Sequence, residues 1–339
     1  MKICIVGAGA VGGVIAGWLG ARLPVGEVQL SALARGATLQ ALRQGGLQLT
    51  ASPAMAQAAG ASRWAVPLPA SDQPADLGPQ DVVVVAVKGP ALSAVAPAVR
   101  ALSGPQTCVV VAMNGVPWWF FDGLGGPCDG LPLHSVDPRG VIRAHIPSAQ
   151  VMGCVVHFSA STPAPGQVHL AQGRRLILGE PAGGDSERLR RLADLLARAG
   201  FETECSERIQ RDIWFKLWGN MTVNPIAALT GATTDRIMDD PLVVSLLDHI
   251  MLEARDIGAR IGLPIAQQPA DRHVVTRKLG AFKPSMLQDV EAGRPIETDA
   301  LLGAVREIGQ HVGLPTPHLD GLLGLTRLMA QVRGLDRPR

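Results

Sequence analysis

The chain has 339 residues, 47% hydrophobic and 18% charged, with 31 basic against 29 acidic side chains and a formal net charge of +2. This composition supports a packed core and excludes long disorder, and so weak a charge bias argues against nucleic acid or a membrane surface as a partner. Five scattered cysteines (Cys4, Cys108, Cys128, Cys154 and Cys205) form no CxxC pair, which argues against a disulfide framework or zinc site; with no leader pattern before the first strand, they point to the cytoplasm.

The N-terminal half alternates strand and helix signals. Lys2–Val6 is a short β-branched run, and residues 11–22 are apolar and rich in small residues, as in a helix packed closely on a sheet. Residues 28–33 read as a strand, 37–44 as a short helix and 47–50 as another strand. Residues 81–87, DVVVVAV, are apolar throughout, the mark of a central parallel strand covered on both faces. A helix over 91–102 and a buried strand over 107–113 follow. This order predicts an α/β fold with an N-terminal Rossmann-type, doubly wound parallel sheet.

From about residue 118 to 173 Pro and Gly are frequent, which predicts loops and strands that extend the sheet. A strand over 176–178, a charged amphipathic helix over 186–199 and a last strand over 201–205 complete that half. Beyond residue 207 the apolar spacing is near 3.6 in the segments 208–229, 241–261, 270–279, 285–292 and 298–312, so an all-helical C-terminal domain is expected. The boundary near residue 206 gives two domains, 1–206 and 207–339.

Gly7-Ala8-Gly9-Ala10-Val11-Gly12 follows the first strand and opens a helix. In that context a GxGxxG run suits a dinucleotide: the first Gly allows the turn, the second lets backbone approach the pyrophosphate, and the third lets helix pack on strand. The second strand ends Leu33-Ala34-Arg35-Gly36 with no carboxylate for a ribose 2′-hydroxyl. Arg35 can instead pair with a 2′-phosphate, which predicts NADPH; an ordinary surface arginine is the alternative.

Almost all basic residues are arginine; the lysines are Lys2, Lys88, Lys216, Lys278 and Lys283. Lysine can be tuned to release a proton near neutral pH and arginine cannot. Lys216, Asn220 and Asn224, spaced i, i+4 and i+8, form one polar stripe on a helix that is otherwise apolar. An oxo-acid ligand would partner all three; a solvated polar face is the plainer reading. Pro225 predicts a kink there. Glu297 has a plain explanation in the first turn of the next helix. No HExxH or carboxylate metal spacing occurs among the eight histidines and the acidic residues, so no metal is expected.

Together these pieces resemble the ketopantoate reductase family over nearly the whole chain. The resemblance rests on GAGAVGG at 7–13, ARG at 34–36, VK at 87–88, NGV at 114–116, KLWGNMTVNPIAALTG at 216–231 and KPSMLQDVEAGRPIETDALLG at 283–303. It implies a C-terminal domain like that of 6-phosphogluconate dehydrogenase, and a homodimer. It also implies reduction of 2-dehydropantoate to (R)-pantoate with hydride from nicotinamide C4. Lys216 then matches the proton donor, Asn220 and Asn224 match residues that hold the substrate, and Ser285 matches one that binds its carboxylate. Asn114 matches an asparagine between nicotinamide and substrate. Lys88 matches a lysine near the cofactor, and Glu297 a carboxylate near the nicotinamide ribose and the active-site lysine. A cofactor contact falls near Ser159 and a polar substrate contact near Thr234.

The stretch 117–170, which begins PWWFF, follows the family pattern poorly. This leaves open a related 2-oxo acid reductase of the D-2-hydroxyacid dehydrogenase type. If Trp118 and Trp119 were exposed to substrate, a bulkier branched or aromatic acid would be favoured; core or dimer surface is the plainer expectation. A non-enzymatic NADPH sensor is a third reading, against which Lys216, Asn220, Asn224 and Glu297 together argue.

Overall fold

The computed structural model describes residues 1–336; the final three positions of the expected helical domain lie outside the described residues. The strands are β1 (Lys2–Val6), β2 (Gln29–Leu33), β3 (Leu47–Ala51), β4 (Arg63–Val66), β5 (Ala70–Ser71), β6 (Gln80–Val85), β7 (Ser103–Val111), β8 (Val151–Ser161), β9 (Gln167–Gly179) and β10 (Glu202–Cys205). They form one sheet in the order β4-β3-β9-β8-β7-β6-β1-β2-β5, with β10 also paired to β9.

The middle of this sheet is parallel, and β6 is buried at every position but Asp81, as expected for a strand covered on both faces. The flank is mixed: β8 runs antiparallel to β9, and β3 antiparallel to β4. Strand β9 is long because its two halves have different outer neighbours. Residues 167–170 pair with β3 and residues 175–178 with β10.

The helix Ala10–Arg22 is apolar all round and buried from Gly12 to Leu19. Its glycines bring it against the sheet: a Cβ on Gly13 would lie 2.4 Å from Val168, and one on Gly17 2.7 Å from Leu49.

The chain divides into two compact units. One holds Met1–Lys88, Leu92–Met113 and Val141–Ile209; the other holds Gly89–Ala91, Asn114–Gly140 and the chain from Gln210 onward. Much of the stretch expected to extend the sheet therefore packs elsewhere. Only its later part forms β8 and β9, whereas Phe120 and Phe121 join the core built on Trp214, Leu217, Trp218 and Met221. Trp118 and Trp119 are 2% and 1% exposed, so neither indole offers surface to a ligand.

The second unit is helical, with Ile209–Thr230, Pro241–Arg260 and Pro317–Val332 as its longest helices. Trp218 donates its indole N–H to the Met251 carbonyl at 2.7 Å, which lets a large polar-edged ring be fully buried. Asp240 caps Pro241–Arg260 by accepting from the amides of Leu242 and Val243. The expected helix over 298–312 begins as a π-turn, Asp299–Gly303, before Ala304–His311 continues it. In this π-turn the Ala304 amide reaches back to Asp299, and the Ala300 carbonyl instead accepts from Val116 N at 2.8 Å.

Candidate active site

In the sheet unit, the glycine loop follows β1. Gly7 has φ +97°, and a Cβ there would lie 2.8 Å from the Val87 backbone and side chain, beyond the end of β6. Only glycine fits that turn. A Cβ on Gly12 would meet the Gly7 carbonyl at 2.3 Å, so this position holds helix against turn. Gly9 is different: nothing lies within 4 Å of its would-be Cβ. The loop is thus closed at its first and third glycines and open at its second.

Gly9 is the N-cap of Ala10–Arg22, and this helix has no side-chain cap and no acid in its first turn. Its free N–H groups, with the positive end of the dipole, favour an anion. Ala8 is buried, whereas Ala10 and Val11 are half-buried in the first turn. Arg35 stands just past the tip of β2, exposed, as the N-cap of Gly36–Gly45, another helix without a side-chain cap or an acid in its first turn. Its guanidinium has no hydrogen-bond partner among the described residues. Lys88 is half-buried at the N-cap of Gly89–Leu102. Ser159 lies where the β8–β9 register is irregular, opposite Gln172, and makes no hydrogen bond to the glycine loop.

In the helical unit, Lys216, Asn220 and Asn224 occupy successive turns of Ile209–Thr230. Lys216 donates from Nζ to Oδ1 of Asn114 at 2.8 Å, so two residues far apart in sequence meet directly. The side chains of Asn220 and Asn224 have no partners among the described residues, although Asn224 is only 7% exposed. Two amides with unused donors and acceptors on one stripe are positions where a ligand could complete the hydrogen bonding. Pro225 lies inside the same helix.

Glu297 precedes the π-turn and is 9% exposed. Its Oε1 accepts from the Gly89 amide at 3.2 Å. The carboxylate therefore serves the first residue of Gly89–Leu102. Ser285 opens the helix Ser285–Glu291, exposed, and is not hydrogen bonded to the Lys216–Asn114 pair. Thr234 is a structural residue: its hydroxyl donates to the Gly280 carbonyl at 2.6 Å.

One further side chain stands beside this stripe. Arg272 is half-buried with its guanidinium 5.7 Å from the centre of the Phe215 ring and against the backbone of Gly219. It pairs with no carboxylate among the described residues, and its Nε is buried without a partner. No sequence period connects position 272 to position 219, so nothing in the spacing could have marked it.

The chain matches the family description "Ketopantoate reductase PanE/ApbA" over residues 3–119 and "Ketopantoate reductase PanE/ApbA C terminal" over residues 208–330. It is 42% identical over 338 residues to a 2-dehydropantoate 2-reductase of Mesorhizobium japonicum, covering 98% of this chain and 99% of that one. This chain belongs to the ketopantoate reductase family. A crystal structure of a candidate ketopantoate reductase from Ralstonia solanacearum MolK2 is 56% identical, with a TM-score of 0.91 and coverage of 98% and 99%. The 2-dehydropantoate 2-reductase of Methylococcus capsulatus, 23% identical, shares the fold at a TM-score of 0.81 with 98% of each chain covered. The two family matches take in the glycine loop and the Lys216 helix, and they leave out most of the stretch that sequence pattern described poorly.

Proposed function

We propose that this protein catalyses the NADPH-dependent reduction of 2-dehydropantoate to (R)-pantoate. The observation that carries the reading is the 2.8 Å hydrogen bond from Lys216 to Asn114, in a helix whose next polar positions are partnerless amides. Relatives named 2-dehydropantoate 2-reductase, one of them 42% identical over nearly the full length, support the same substrate.

The residues fit a nicotinamide dinucleotide. The open backbone at Gly9, between two glycines that pack, suits a pyrophosphate at an uncapped helix N-terminus. Arg35, exposed and partnerless, suits a 2′-phosphate and so NADPH over NADH. Lys88, Ser159 and Glu297 are assigned further contacts to the cofactor. When bound, the reduced nicotinamide supplies the hydride.

Lys216 does the acid–base work. Negative charge grows on the ketone oxygen as the carbon is reduced, and an ammonium held in place stabilises that charge and then gives up its proton. Asn114 orients the ammonium by accepting from it. Asn220, Asn224 and Ser285 offer donors to the hydroxyl and carboxylate of the substrate. In this reading residues 1–206 hold cofactor and 207–339 hold substrate. A homodimer is supported by exposed Leu325, Leu328 and Val332 on the last helix, and a cytoplasmic location by free cysteines, four of them buried.

Purified protein mixed with ketopantoate and either NADPH or NADH, followed at the nicotinamide absorbance band, tests this directly. Faster consumption of NADPH is expected. Comparable efficiency on phenylglyoxylate, or no consumption with ketopantoate, would overturn the substrate assignment.

A further inference from the structure

Gly219 lies inside a 22-residue helix, where glycine is less favourable than alanine. A Cβ there would sit 2.5 Å from Nε, 2.7 Å from Nη2 and 3.0 Å from Cζ of Arg272. The missing side chain is what lets the guanidinium lie flat on the helix, with the Phe215 ring one turn back as the other part of its seat.

What this guanidinium does for the fold is little. It has no carboxylate partner among the described residues, its Nε is buried and unbonded, and burial pulls its pKa below the usual guanidinium range with no nearby acid to offset it. Desolvating a cation and leaving its donors unmade are both unfavourable. A helix glycine and an uncompensated charge thus coincide at one spot. The glycine makes room for the guanidinium, and an anion bound there would compensate the charge.

The location identifies the anion. Gly219 is three residues from Lys216, one turn along the helix, so Arg272 lies on the face adjoining the stripe, beside Lys216. We propose that Arg272, seated on Phe215 and Gly219, takes the carboxylate of a 2-oxo acid whose keto group faces Lys216. This deepens the proposed function and rests on it. The resemblance assigns the carboxylate to Ser285, a single hydroxyl donor. Arg272 adds a charge and a planar fork that match a carboxylate in a two-bonded arrangement.

The test uses Arg272→Met and Arg272→Lys in the full chain, with steady-state kinetics on ketopantoate and calorimetric binding of oxamate, a carboxylate that mimics a 2-oxo acid. Arg272→Met is expected to raise KM and weaken oxamate binding by about 10–100-fold while NADPH affinity stays as in the parent. Arg272→Lys recovers part of both. The melting temperature of Arg272→Met stays level or rises, because an unpaired buried charge has gone; a structural cation–π contact would make it fall. Gly219→Ala, which takes away the seat and leaves the charge, is expected to raise KM as well, and it serves if the Met variant fails to fold. Unchanged KM and oxamate affinity in Arg272→Met would overturn the proposal and leave ketopantoate reduction standing. A parent protein that binds oxamate through Arg272 yet reduces no ketopantoate would overturn the substrate reading and leave Arg272 as the carboxylate site.

Discussion

Gly7 and Gly9 stand two residues apart and would respond to a methyl group in opposite ways. At Gly7 the backbone is left-handed and a Cβ would lie 2.8 Å from Val87, so Gly7→Ala is expected to lower stability by about 1–3 kcal/mol, read as a fall in melting temperature. At Gly9 no protein atom would be touched. Gly9→Ala should melt like the parent but bind NADPH about tenfold more weakly, measured by fluorescence titration, because its Cβ occupies the space of a phosphate. Equal melting temperatures for the two variants would refute this division. Lys216 is the other residue on which the chemistry turns. Lys216→Ala should cut turnover by at least about 10² with NADPH affinity nearly intact. Arginine would not rescue it, since a guanidinium keeps its proton.

Helix ends carry the argument at the scale of elements. Several helices here are capped by their own chain, Pro241–Arg260 by Asp240 and Glu187–Arg198 by Ser186. Ala10–Arg22 and Gly36–Gly45 are not, and they follow the glycine loop and Arg35. Such caps are local, because a Ser or Asp side chain reaches only the first amides of its own helix. The partner of Glu297 was not visible. Its carboxylate accepts from Gly89, two hundred residues earlier. The π-turn at Asp299–Gly303 was equally hidden, since it is held by a bond from Val116 to Ala300.

A half-buried ion pair gives the elements a pH signature. Glu180, at the end of β9, accepts from Arg188 and from Ser186 at the start of Glu187–Arg198. Burial alone would raise its pKa, but the bonds from Arg188 and Ser186 outweigh that and lower it. A carboxyl lowered in the folded state stabilises the fold above its unfolded value. That contribution is lost as pH falls from about 4.5 through the folded value. Glu180→Gln is therefore expected to cost about 1–3 kcal/mol at pH 7 and much less near pH 3, checked by urea unfolding at both. A pH-independent difference would rule out the ionised pair as its source.

At the scale of the whole molecule, the thiols report on cooperative unfolding. Cys4, Cys108, Cys128 and Cys154 are buried and Cys205 is exposed. Burial pushes the Cys108 thiol up to about 11. A water-soluble disulfide reagent at pH 8 should titrate a single thiol in the native protein, Cys205, and all five after denaturation. Two or more fast thiols would mean that a core opens far more readily than its packing implies.

Periodicity and local chemistry determined a good deal here from sequence alone: the parallel strands, the glycine turn, the helical C-terminal half and the Lys216 stripe. These are written in short windows, where a period of 2 or 3.6 and a cap residue act over a few positions. Tertiary structure alone decided that residues 114–140 pack with the helical core, that β9 serves two outer neighbours, that Asn114 holds Lys216, and that Arg272 finds its seat on Gly219. Each of these joins residues distant along the chain. Such contacts are chosen by which surfaces bury best together, and that competition has no signature in any one stretch of sequence.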